Sequence, residues 1–460
     1  MGKHMKFGRL AAIIAAAWLS LQPASPVTAE TIDLSRIAAS PNPRLGLAFP
    51  GGETKYYPLI AQAGIGITRL SVQWSLVEPK PGRFSFNGLD SRVAALDRLG
   101  IRPFLTFESN ADWATVAETR NVKNARPRDP ATWERFVRTV VDRYDGDGKN
   151  DMPGLNRPVR YWQAANEWIS DRNKSGGWIG SADQLIEYIR RTHDVVKATD
   201  PNAIFVLGGI AAFNLDVMLV ARSGQNFPVR QKWSATSETV LSLEEMRGPQ
   251  IAEIFDRRVL PVLRQSPYDV ADVHLYGPET RDAARISLIR SLTGKPVISS
   301  ECGGPTLDYG GTYSPEAHFL AVIDRNLGVL ATGAGFCLWF RLGEGPGSTY
   351  GNRKTPLYTS NARPKPGVFA YRLLSRLIDT GATVKRAGPH LFDIRRSNGE
   401  SIQIGWNDGA EQARAHASKV GGEAYCLENA TKGLLNSSPD RCASNAVVVA
   451  GRNLFSIISR

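Results

Sequence analysis

Two glutamates follow short apolar stretches whose composition is typical of buried strands. Residues 161–165 lead into Asn166 and Glu167, and residues 296–300 lead into Glu301. Hydrolysis of a glycosidic bond with retention of configuration needs a protonated carboxyl group beside the leaving oxygen and a carboxylate beneath the anomeric carbon, about 5 to 5.5 Å apart. One glutamate after a strand is more often a helix cap or half of a salt bridge. Two at strand ends favour this chemistry, with Glu167 as general acid/base and Glu301 as nucleophile.

The elements that must position these glutamates form a repeating pattern. Short runs of β-forming residues alternate with longer amphipathic stretches, as in a βαβ series. Eight runs are strand candidates: residues 45–49, 67–73, 102–107, 159–165, 203–208, 270–275, 296–300 and 335–340. Because parallel strands need crossover helices and closure removes exposed edges, the pattern predicts an α/β fold, a (β/α)8 TIM barrel. The alternative, an open doubly wound sheet, is disfavoured because no glycine-rich phosphate turn follows the first strand.

The residue pattern of the sequence changes after about Gly381. Short alternating segments separated by Gly, Asn and Pro predict a small C-terminal β-sandwich over residues 381–460, after a barrel domain over residues 30–380. No Pro/Ser-rich linker separates the two, so we expect them to pack together. In an exported protein, Cys426 and Cys442 are expected to form a disulfide. Cys302 and Cys337 stand in apolar strand patterns as buried thiols, and their pairing stays open.

The N-terminal residues 1–29 have the pattern of a secretory signal peptide. Three basic residues precede an apolar run over residues 10–21, and a small-residue motif ends at Ala29. The run is short for a bilayer span, and no later segment is longer, so no membrane anchor is expected. The prediction is a monomeric protein exported to the bacterial periplasm or the medium.

The charge balance is basic. The net charge of +12 becomes +9 without the three cations of the signal peptide. The basic residues are scattered and form no nucleic-acid motif, so no nucleic-acid partner is expected. Two explanations stay open: attraction to an acidic polysaccharide or the anionic cell envelope, or simply a basic exported protein.

One loop resembles part of a calcium site. Asp145, Asp147 and Asp151 alternate with glycines, and such oxygen ligands can surround a hard cation. The loop lacks the glutamate that closes an EF-hand, so the alternative is a solvated polar turn. No cofactor is required for the chemistry of the glutamates, and a structural calcium ion is the one candidate.

Taken together, the motifs resemble clan A of the glycoside hydrolases, in particular family 39 and the family 5-like enzymes. The order and spacing of several segments carry the resemblance: Arg69, the stretch 74–86, Asn166-Glu167, His274-Leu-Tyr276, Glu301 and Trp339. The resemblance covers most of residues 44–380, and it extends to the appended C-terminal module. It implies a metal-independent retaining β-glycosidase.

The resemblance also implies roles for individual residues. Asn166 would bind the sugar 2-hydroxyl, and Tyr276 would hold the nucleophile, with His274 on the same wall. Arg69 would keep Glu301 ionised. Trp339 would stack on an apolar sugar face. In isolation, each of these residues is as readily explained by packing or by a buried ion pair.

One residue departs from the family pattern. The family usually has proline after the acid/base glutamate, and this chain has Trp168. Trp168 is therefore expected to reshape the rim of the site. Aromatic residues elsewhere would line the same cleft, unless they merely pack loops together: Trp113, Trp178, Tyr309 and Tyr313. Between Asn166 and Trp168, Glu167 is expected to keep its proton until the leaving oxygen takes it.

The sequence therefore predicts a retaining β-glycoside hydrolase that acts on a β-linked oligo- or polysaccharide by double displacement. Two alternatives remain. A transglycosylase that remodels a cell-surface glucan would share the covalent intermediate. A catalytically silent carbohydrate-binding barrel would keep the fold without the reaction, although the presence of both glutamates argues against it.

Overall fold

The computed structural model describes Met1 and residues 29–345 and 350–459. Most of the predicted signal peptide, residues 2–28, lies outside the described residues. Within the described ranges, no helix is long and apolar enough to cross a bilayer.

The strands of the described ranges belong to three sheets. In chain order they are β1 (Thr31–Asp33), β2 (Asn42–Ala48), β3 (Ile65–Gln73), β4 (Arg102–Glu108), β5 (Tyr161–Ala164), β6 (Ile204–Ile210), β7 (Val229–Lys232), β8 (Glu238–Leu241), β9 (Val270–Leu275), β10 (Val297–Cys302), β11 (Cys337–Phe340), β12 (Thr383–Gly388), β13 (Leu391–Arg395), β14 (Ser401–Gly405), β15 (Glu423–Asn429), β16 (Leu434–Asn436) and β17 (Val448–Gly451).

Eight of these strands close into a parallel barrel, in the order β2-β3-β4-β5-β6-β9-β10-β11. The last strand pairs with the first, with Cys337 opposite Leu45. The predicted TIM barrel is confirmed, and each of the eight strand candidates forms one of its strands. The alternative of an open sheet is wrong, because β2 and β11 leave no free edge.

Helices cover the outside of the barrel, and the last two of the chain pack against the C-terminal sheet. In chain order they are α1 (Pro58–Gln62), α2 (Trp74–Val77), α3 (Asn87–Arg98), α4 (Pro130–Asp142), α5 (Ala182–Thr199), α6 (Ala212–Arg222), α7 (Leu243–Arg247), α8 (Pro249–Ile254), α9 (Leu260–Gln265), α10 (Asp282–Thr293), α11 (Pro315–Ala331), α12 (Pro366–Leu377), α13 (Asp408–Val420) and α14 (Leu454–Ser459). Local sequence explains their starts. Helix α4, for example, begins with Pro130 and is capped by the carboxylate of Asp129, while Trp133, Phe136 and Val140 face the core.

The barrel interior is divided into an apolar layer and a polar layer. The apolar layer takes one side chain from most strands, including Ile67, Phe104, Val206, Ile298 and Leu338. Residues two positions further along a strand point to the same side. Above this layer, towards the carboxyl ends of the strands, stand the polar side chains of Arg69, Thr106 and Ser300, together with the aromatic ring of Phe340. The alternation of each strand therefore delivers polar groups to one end of the barrel.

A short hairpin is inserted after the fifth barrel strand and α6. Strands β7 and β8 pair antiparallel, with Val229 opposite Leu241. Gln231 on this hairpin donates a hydrogen bond to Asp308, in the loop after β10, at 3.1 Å. The hairpin therefore stands at the carboxyl end of the barrel. Its mostly polar, four-residue strands carry too little alternation to be recognised from sequence.

The C-terminal module is one antiparallel sheet and not the predicted sandwich. Its strands have the order β1-β16-β15-β17-β14-β13-β12. The second layer on one face is a helix, α13, because its alanines at positions 410, 413 and 417 follow helical spacing and pack against Leu391 and Val448. The other face joins the main core through Phe392 and Ile404.

A strand from the N-terminal side and a disulfide bond also belong to this sheet. Strand β1 from the N-terminal side pairs with β16, with Ile32 opposite Leu435. A disulfide joins Cys426 to Cys442. In the barrel, Cys302 and Cys337 are free and buried on neighbouring strands.

Candidate active site

Glu167 is held by an unusual stretch of backbone after β5. Ala165 and Glu167 both have positive φ angles, 67° and 48°, and the amide of Glu167 donates to the carbonyl of Gly209 at 2.8 Å. This turn needs close contact with β6: a Cβ on Gly208 would lie 1.7 Å from the carbonyl oxygen of Ala165. Glycine at position 208 therefore lets the two strand ends approach and places the carboxyl group of Glu167 above the barrel.

Glu301 is directed into the barrel by an irregularity in β10. The register between β10 and β9 shifts between Ile298 and Glu301, which is how bulges re-aim side chains. Asp272 fixes the bulge by accepting hydrogen bonds from the amide and the hydroxyl of Ser300, at 2.7 and 2.5 Å. Tyr276 then donates its phenol hydrogen to Glu301 Oε1 at 2.8 Å.

The two carboxylates face each other with an imidazole behind them. One oxygen each of Glu167 and Glu301 and one nitrogen of His274 all lie within 4.8 Å of one another. The Nδ1 atom of buried His274 is 2.9 Å from Glu167 Oε1 and 3.9 Å from Glu301 Oε2. This spacing fits the about 5 to 5.5 Å between the carboxyl groups of a retaining glycosidase, whereas inversion needs about 6.5 to 9.5 Å.

Arg69, on β3, contacts several residues of the site. Its fully buried guanidinium is 3.3 Å from Glu301 Oε2 and donates to Asn166 Oδ1 at 2.7 Å and to Thr106 Oγ1 at 2.8 Å. Because Arg69 takes the amide oxygen of Asn166, the amide nitrogen faces the other way and donates to Ser175 O at 3.2 Å. The predicted set Arg69, Asn166, Tyr276 and His274 is thus assembled around the two glutamates.

The protonation of the free site differs from the expectation for Glu167. Burial raises the pKa of Glu167, but the hydrogen bonds and charge of its neighbours, chiefly His274 and Asn173, together lower it by more, so the net shift is downward. Burial lowers the pKa of His274, yet the carboxylates of Glu301 and Glu167 leave it raised. Both shifts favour an ionised Glu167 with the proton on His274. The expectation failed because His274 and Asn173, and not Asn166 and Trp168, contact the carboxyl group.

A cavity of 1110 Å³ opens above the carboxylates at the carboxyl end of the barrel. Phe49, Tyr309 and Phe340 contribute aromatic surface to its wall. The side-chain oxygens Asp308 Oδ1 and Asn352 Oδ1 also belong to residues of this wall, and neither has a hydrogen-bond partner among the described residues. Because both oxygen atoms are buried, the surface that the wall offers to a ligand comes from its aromatic rings and its other polar side chains.

Trp339 does not take the predicted stacking position. Its side chain is fully buried beside His318, and its indole nitrogen donates to Thr355 O at 2.8 Å. The strand alternation explains the error, because Leu338 points into the barrel and so does the residue two positions later, Phe340. Phe340, and not Trp339, lines the cavity.

The predicted aromatic rim is also mostly wrong. Trp168 is fully buried and donates its indole hydrogen to Gly208 O at 2.9 Å. Trp178 is buried against Tyr188, with ring centroids 5.2 Å apart. These indoles pack the loops after β5.

Two of the other three rim candidates also lie away from the cavity. Trp113 donates to the carbonyl of Glu78 at 2.9 Å, and Tyr313 packs beside His318. Of the four further aromatic residues expected in the cleft, Tyr309 alone lines it.

Three residues of this site were not predicted from the sequence: Asn173, Glu108 and Lys123. Asn173 donates to Glu167 Oε2, and it stands in a polar loop that carries no recognisable motif. Glu108, at the end of β4, accepts from Lys123 Nζ at 2.9 Å within the cavity wall. The strand-end position of Glu108 was the signal that could have found it.

The predicted calcium loop brings its three aspartates together. Carboxylate oxygens of Asp145, Asp147 and Asp151 lie within 4.8 Å of one another. Burial, together with the charges of its neighbours, raises the pKa of Asp145 to about 6. Backbone amides of the loop also bind these carboxylates, with Gly148 N donating to Asp151 at 2.7 Å. This geometry fits a cation site and equally a self-satisfied polar turn, so calcium stays a prediction.

Comparison with known proteins establishes the fold. No family profile and no curated protein matches the chain. A family 39 glycoside hydrolase from the gut symbiont Bacteroides cellulosilyticus is similar, with a TM-score of 0.56 and 14% identity, over 92% of this chain and 82% of that one. A family 30 subfamily 8 xylanase from Clostridium acetobutylicum has a TM-score of 0.54 and 10% identity, over 90% and 96%.

A third similar structure is a monomeric β-xylosidase from Caulobacter crescentus, with a TM-score of 0.51 and 14% identity, over 81% of this chain and 75% of that one. These identities are low, so the similarity concerns the fold. The chain is structurally similar to the (β/α)8 barrel glycosidases of clan A, which confirms the resemblance at that level.

Proposed function

We propose that this protein is a retaining β-glycoside hydrolase that cleaves a β-linked oligo- or polysaccharide. The observation that carries the proposal is the approach of Glu167 and Glu301 within 4.8 Å at the carboxyl ends of the fourth and seventh barrel strands. Retention through a covalent glycosyl intermediate needs carboxyl groups about 5 to 5.5 Å apart, whereas direct displacement by water needs about 6.5 to 9.5 Å, so this proximity favours retention. The fold shared with glycoside hydrolases supports the same reaction class.

In the first step, Glu301 attacks the anomeric carbon while the glycosidic oxygen takes a proton from Glu167. The proton comes from His274 Nδ1 along the 2.9 Å hydrogen bond to Glu167 Oε1. When Glu301 becomes an ester it loses its charge, which is one of the causes that raise the pKa of His274. Formation of the ester therefore favours release of the proton from His274.

In the second step, Glu167 accepts a proton from the attacking water. The hydroxide equivalent takes the glycosyl group from Glu301, whose carboxylate charge returns. That charge again raises the pKa of His274, and the proton goes back to its Nδ1 atom. The cycle consumes one water and returns every group to its starting state.

The sugar would be held by polar groups of the cavity wall. Asn166 donates one amide hydrogen to Ser175 O, and its second amide hydrogen would donate to the sugar 2-hydroxyl, a bond that strengthens as charge develops at the anomeric carbon. Phe340 would offer an apolar face to the ring in place of Trp339. We also propose, from the signal peptide, that the protein acts in the periplasm or outside the cell.

Two variants test the reaction on activated aryl β-glycosides. Glu301→Gln should abolish turnover of all of them. Glu167→Ala should slow the second step by about 10² to 10⁴, the usual contribution of a general acid or base. Azide should restore this variant by replacing activated water, and the product should be the β-azide. Glu316→Gln, which changes an exposed glutamate of α11, is the matched control and should behave as the wild type.

Four outcomes would count against the proposal. An α-configured azide product would mean that the enzyme inverts. A Glu167→Ala protein equally inert on all substrates, with no response to azide, would mean that the acid/base is another group. Binding of sugars without any turnover would favour the silent barrel, and transfer to sugar in preference to water would favour the transglycosylase.

A further inference from the structure

Three basic side chains line the mouth of the cavity without matching acidic partners. Arg172 and Lys174 stand in the loop after β5, and Lys232 ends strand β7 of the inserted hairpin. Within the described part of the chain, Lys174 and Lys232 form no ion pair. Arg172, whose side chain is 95% exposed, approaches only Asp171, at 3.9 Å.

The acidic groups nearby are already engaged elsewhere. Glu238 stands opposite Lys232 in the hairpin, but its carboxylate pairs with Arg230 at 2.9 Å. Glu108 on the inner wall pairs with Lys123. Asp308, a further carboxylate of the wall, accepts a hydrogen bond from Gln231 at 3.1 Å. The three cations of the mouth therefore have no close carboxylate partner except Asp171, and exposed charges of one sign attract ligands of the opposite sign.

An exposed tryptophan stands next to these cations. Trp233 directly follows Lys232, lines the cavity and is 54% exposed. Its indole nitrogen donates to Thr239 Oγ1 at 2.8 Å, which holds the ring in place on the hairpin. A large, fixed and exposed apolar ring at the mouth of a polar cavity is a surface on which a sugar ring can stack.

The loop that carries two of the cations is attached to the acid/base glutamate. Asn173, between Arg172 and Lys174, donates to Glu167 Oε2. Because Glu167 protonates the leaving group in the proposed reaction, this loop lies on the leaving-group side of the bond to be cleaved. The cavity of 1110 Å³ exceeds the about 300 to 1000 Å³ of sites for drug-sized molecules, so it has room for several sugar units.

We propose that the substrate is an extended β-linked polysaccharide that carries carboxylate groups. One of its sugar rings stacks on Trp233, and its carboxylates bind Lys232 on the hairpin and Arg172 and Lys174 on the leaving-group side. The inference rests on the proposed function for the reaction and adds the substrate class. A neutral chain would leave the cations of the mouth with water alone.

The test compares neutral chains with their carboxylated forms. Cello-, laminari- and manno-oligosaccharides of six units are used as such and after oxidation of their C6 hydroxymethyl groups to carboxylates. Binding to the Glu301→Gln protein is measured by calorimetry at low and high salt. At least one carboxylated chain should bind about tenfold more tightly than its neutral parent, and the preference should shrink as salt screens the charges.

Variants of the mouth residues test whether these residues cause the preference for carboxylated chains. Lys232→Gln and Arg172→Gln should each weaken binding of the carboxylated chain by about two- to fivefold, the usual effect of an exposed ion pair. Trp233→Ala should weaken the neutral and the carboxylated chain alike. Lys419→Gln on α13 changes the net charge equally, far from the mouth, and should change nothing.

Equal binding of both forms of every chain would overturn the inference, and so would an effect of Lys419→Gln as large as that of Lys232→Gln. Turnover of aryl glycosides without any carboxylate preference would leave the proposed reaction standing and remove the substrate class. Carboxylate-dependent binding without turnover would support the substrate class and remove the reaction.

Discussion

The substitution His318→Gln should remove part of the loss of stability that the protein undergoes between pH 7 and pH 4.5. His318 is fully buried on α11, accepts from Gly367 N at Nδ1 (3.4 Å) and donates from Nε2 to Thr355 O (3.1 Å). Burial and the nearby charge of Lys365 lower its pKa to about 3. An unfolded histidine is protonated below about pH 6.5, so between about pH 6.5 and pH 3 the unfolded state binds a proton that the folded state does not bind.

The size of the effect follows from these two values. Stability falls as the pH drops from about 6.5 towards 3, by about 1.4 kcal/mol for each pH unit inside that window. Between pH 7 and pH 4.5 the loss due to His318 is about 2.5 kcal/mol. Glutamine can still donate to Thr355 O but does not titrate, so the variant lacks this loss.

Urea unfolding followed by tryptophan fluorescence measures the effect. The difference in free energy of unfolding between the wild type and His318→Gln should shrink by about 2.5 kcal/mol from pH 7 to pH 4.5. His416→Gln, on α13 of the C-terminal module, is the control and should leave the difference constant. A change of less than about 0.5 kcal/mol for His318→Gln, the usual scatter of surface substitutions, would refute the reasoning.

Three further predictions concern the site and its supports. Tyr276→Phe removes a 2.8 Å hydrogen bond to the charged Glu301, so kcat/KM for aryl glycosides should fall about 10- to 150-fold, and a fall of less than about threefold would contradict this role. Gly208→Ala places a Cβ against the strand carbonyl at 1.7 Å and should give an insoluble or inactive protein, whereas Gly52→Ala, with open space around it, should keep the wild-type Tm and activity. Millimolar calcium added after chelation should raise the Tm through the loop 145–151, and an unchanged Tm would remove the predicted ion.

The barrel and its glutamates were predictable because they depend on local and periodic signals. Each strand is a short apolar run between amphipathic stretches, and the strands were found within a few residues of their bounds. Parallel strands of a closed barrel bring their carboxyl ends together, so Glu167 and Glu301 could be placed near each other without any knowledge of the loops.

The errors arose where one residue or one distant contact decides the outcome. Successive residues of a strand point to opposite faces, so an error of one position in the expected register assigns a residue to the wrong face. The sequence therefore suggested Trp339 for the cavity wall, where the structure has Phe340. Asn173 reaches Glu167 through the path of a loop, which local sequence does not specify. The C-terminal sheet recruits β1 from the other end of the chain and takes α13 as its second layer, and both are non-local pairings.

The central claim is that Glu301 forms a covalent bond with the sugar. A panel of 2-deoxy-2-fluoro β-glycosyl fluorides, which slow the second step, should trap this intermediate. Intact mass spectrometry should show one added glycosyl group per chain, and peptide mapping should place it on Glu301, in the peptide that spans β10. The label should be absent from Glu301→Gln. A label on another side chain, or turnover of these substrates to an inverted product without any adduct, would contradict the account.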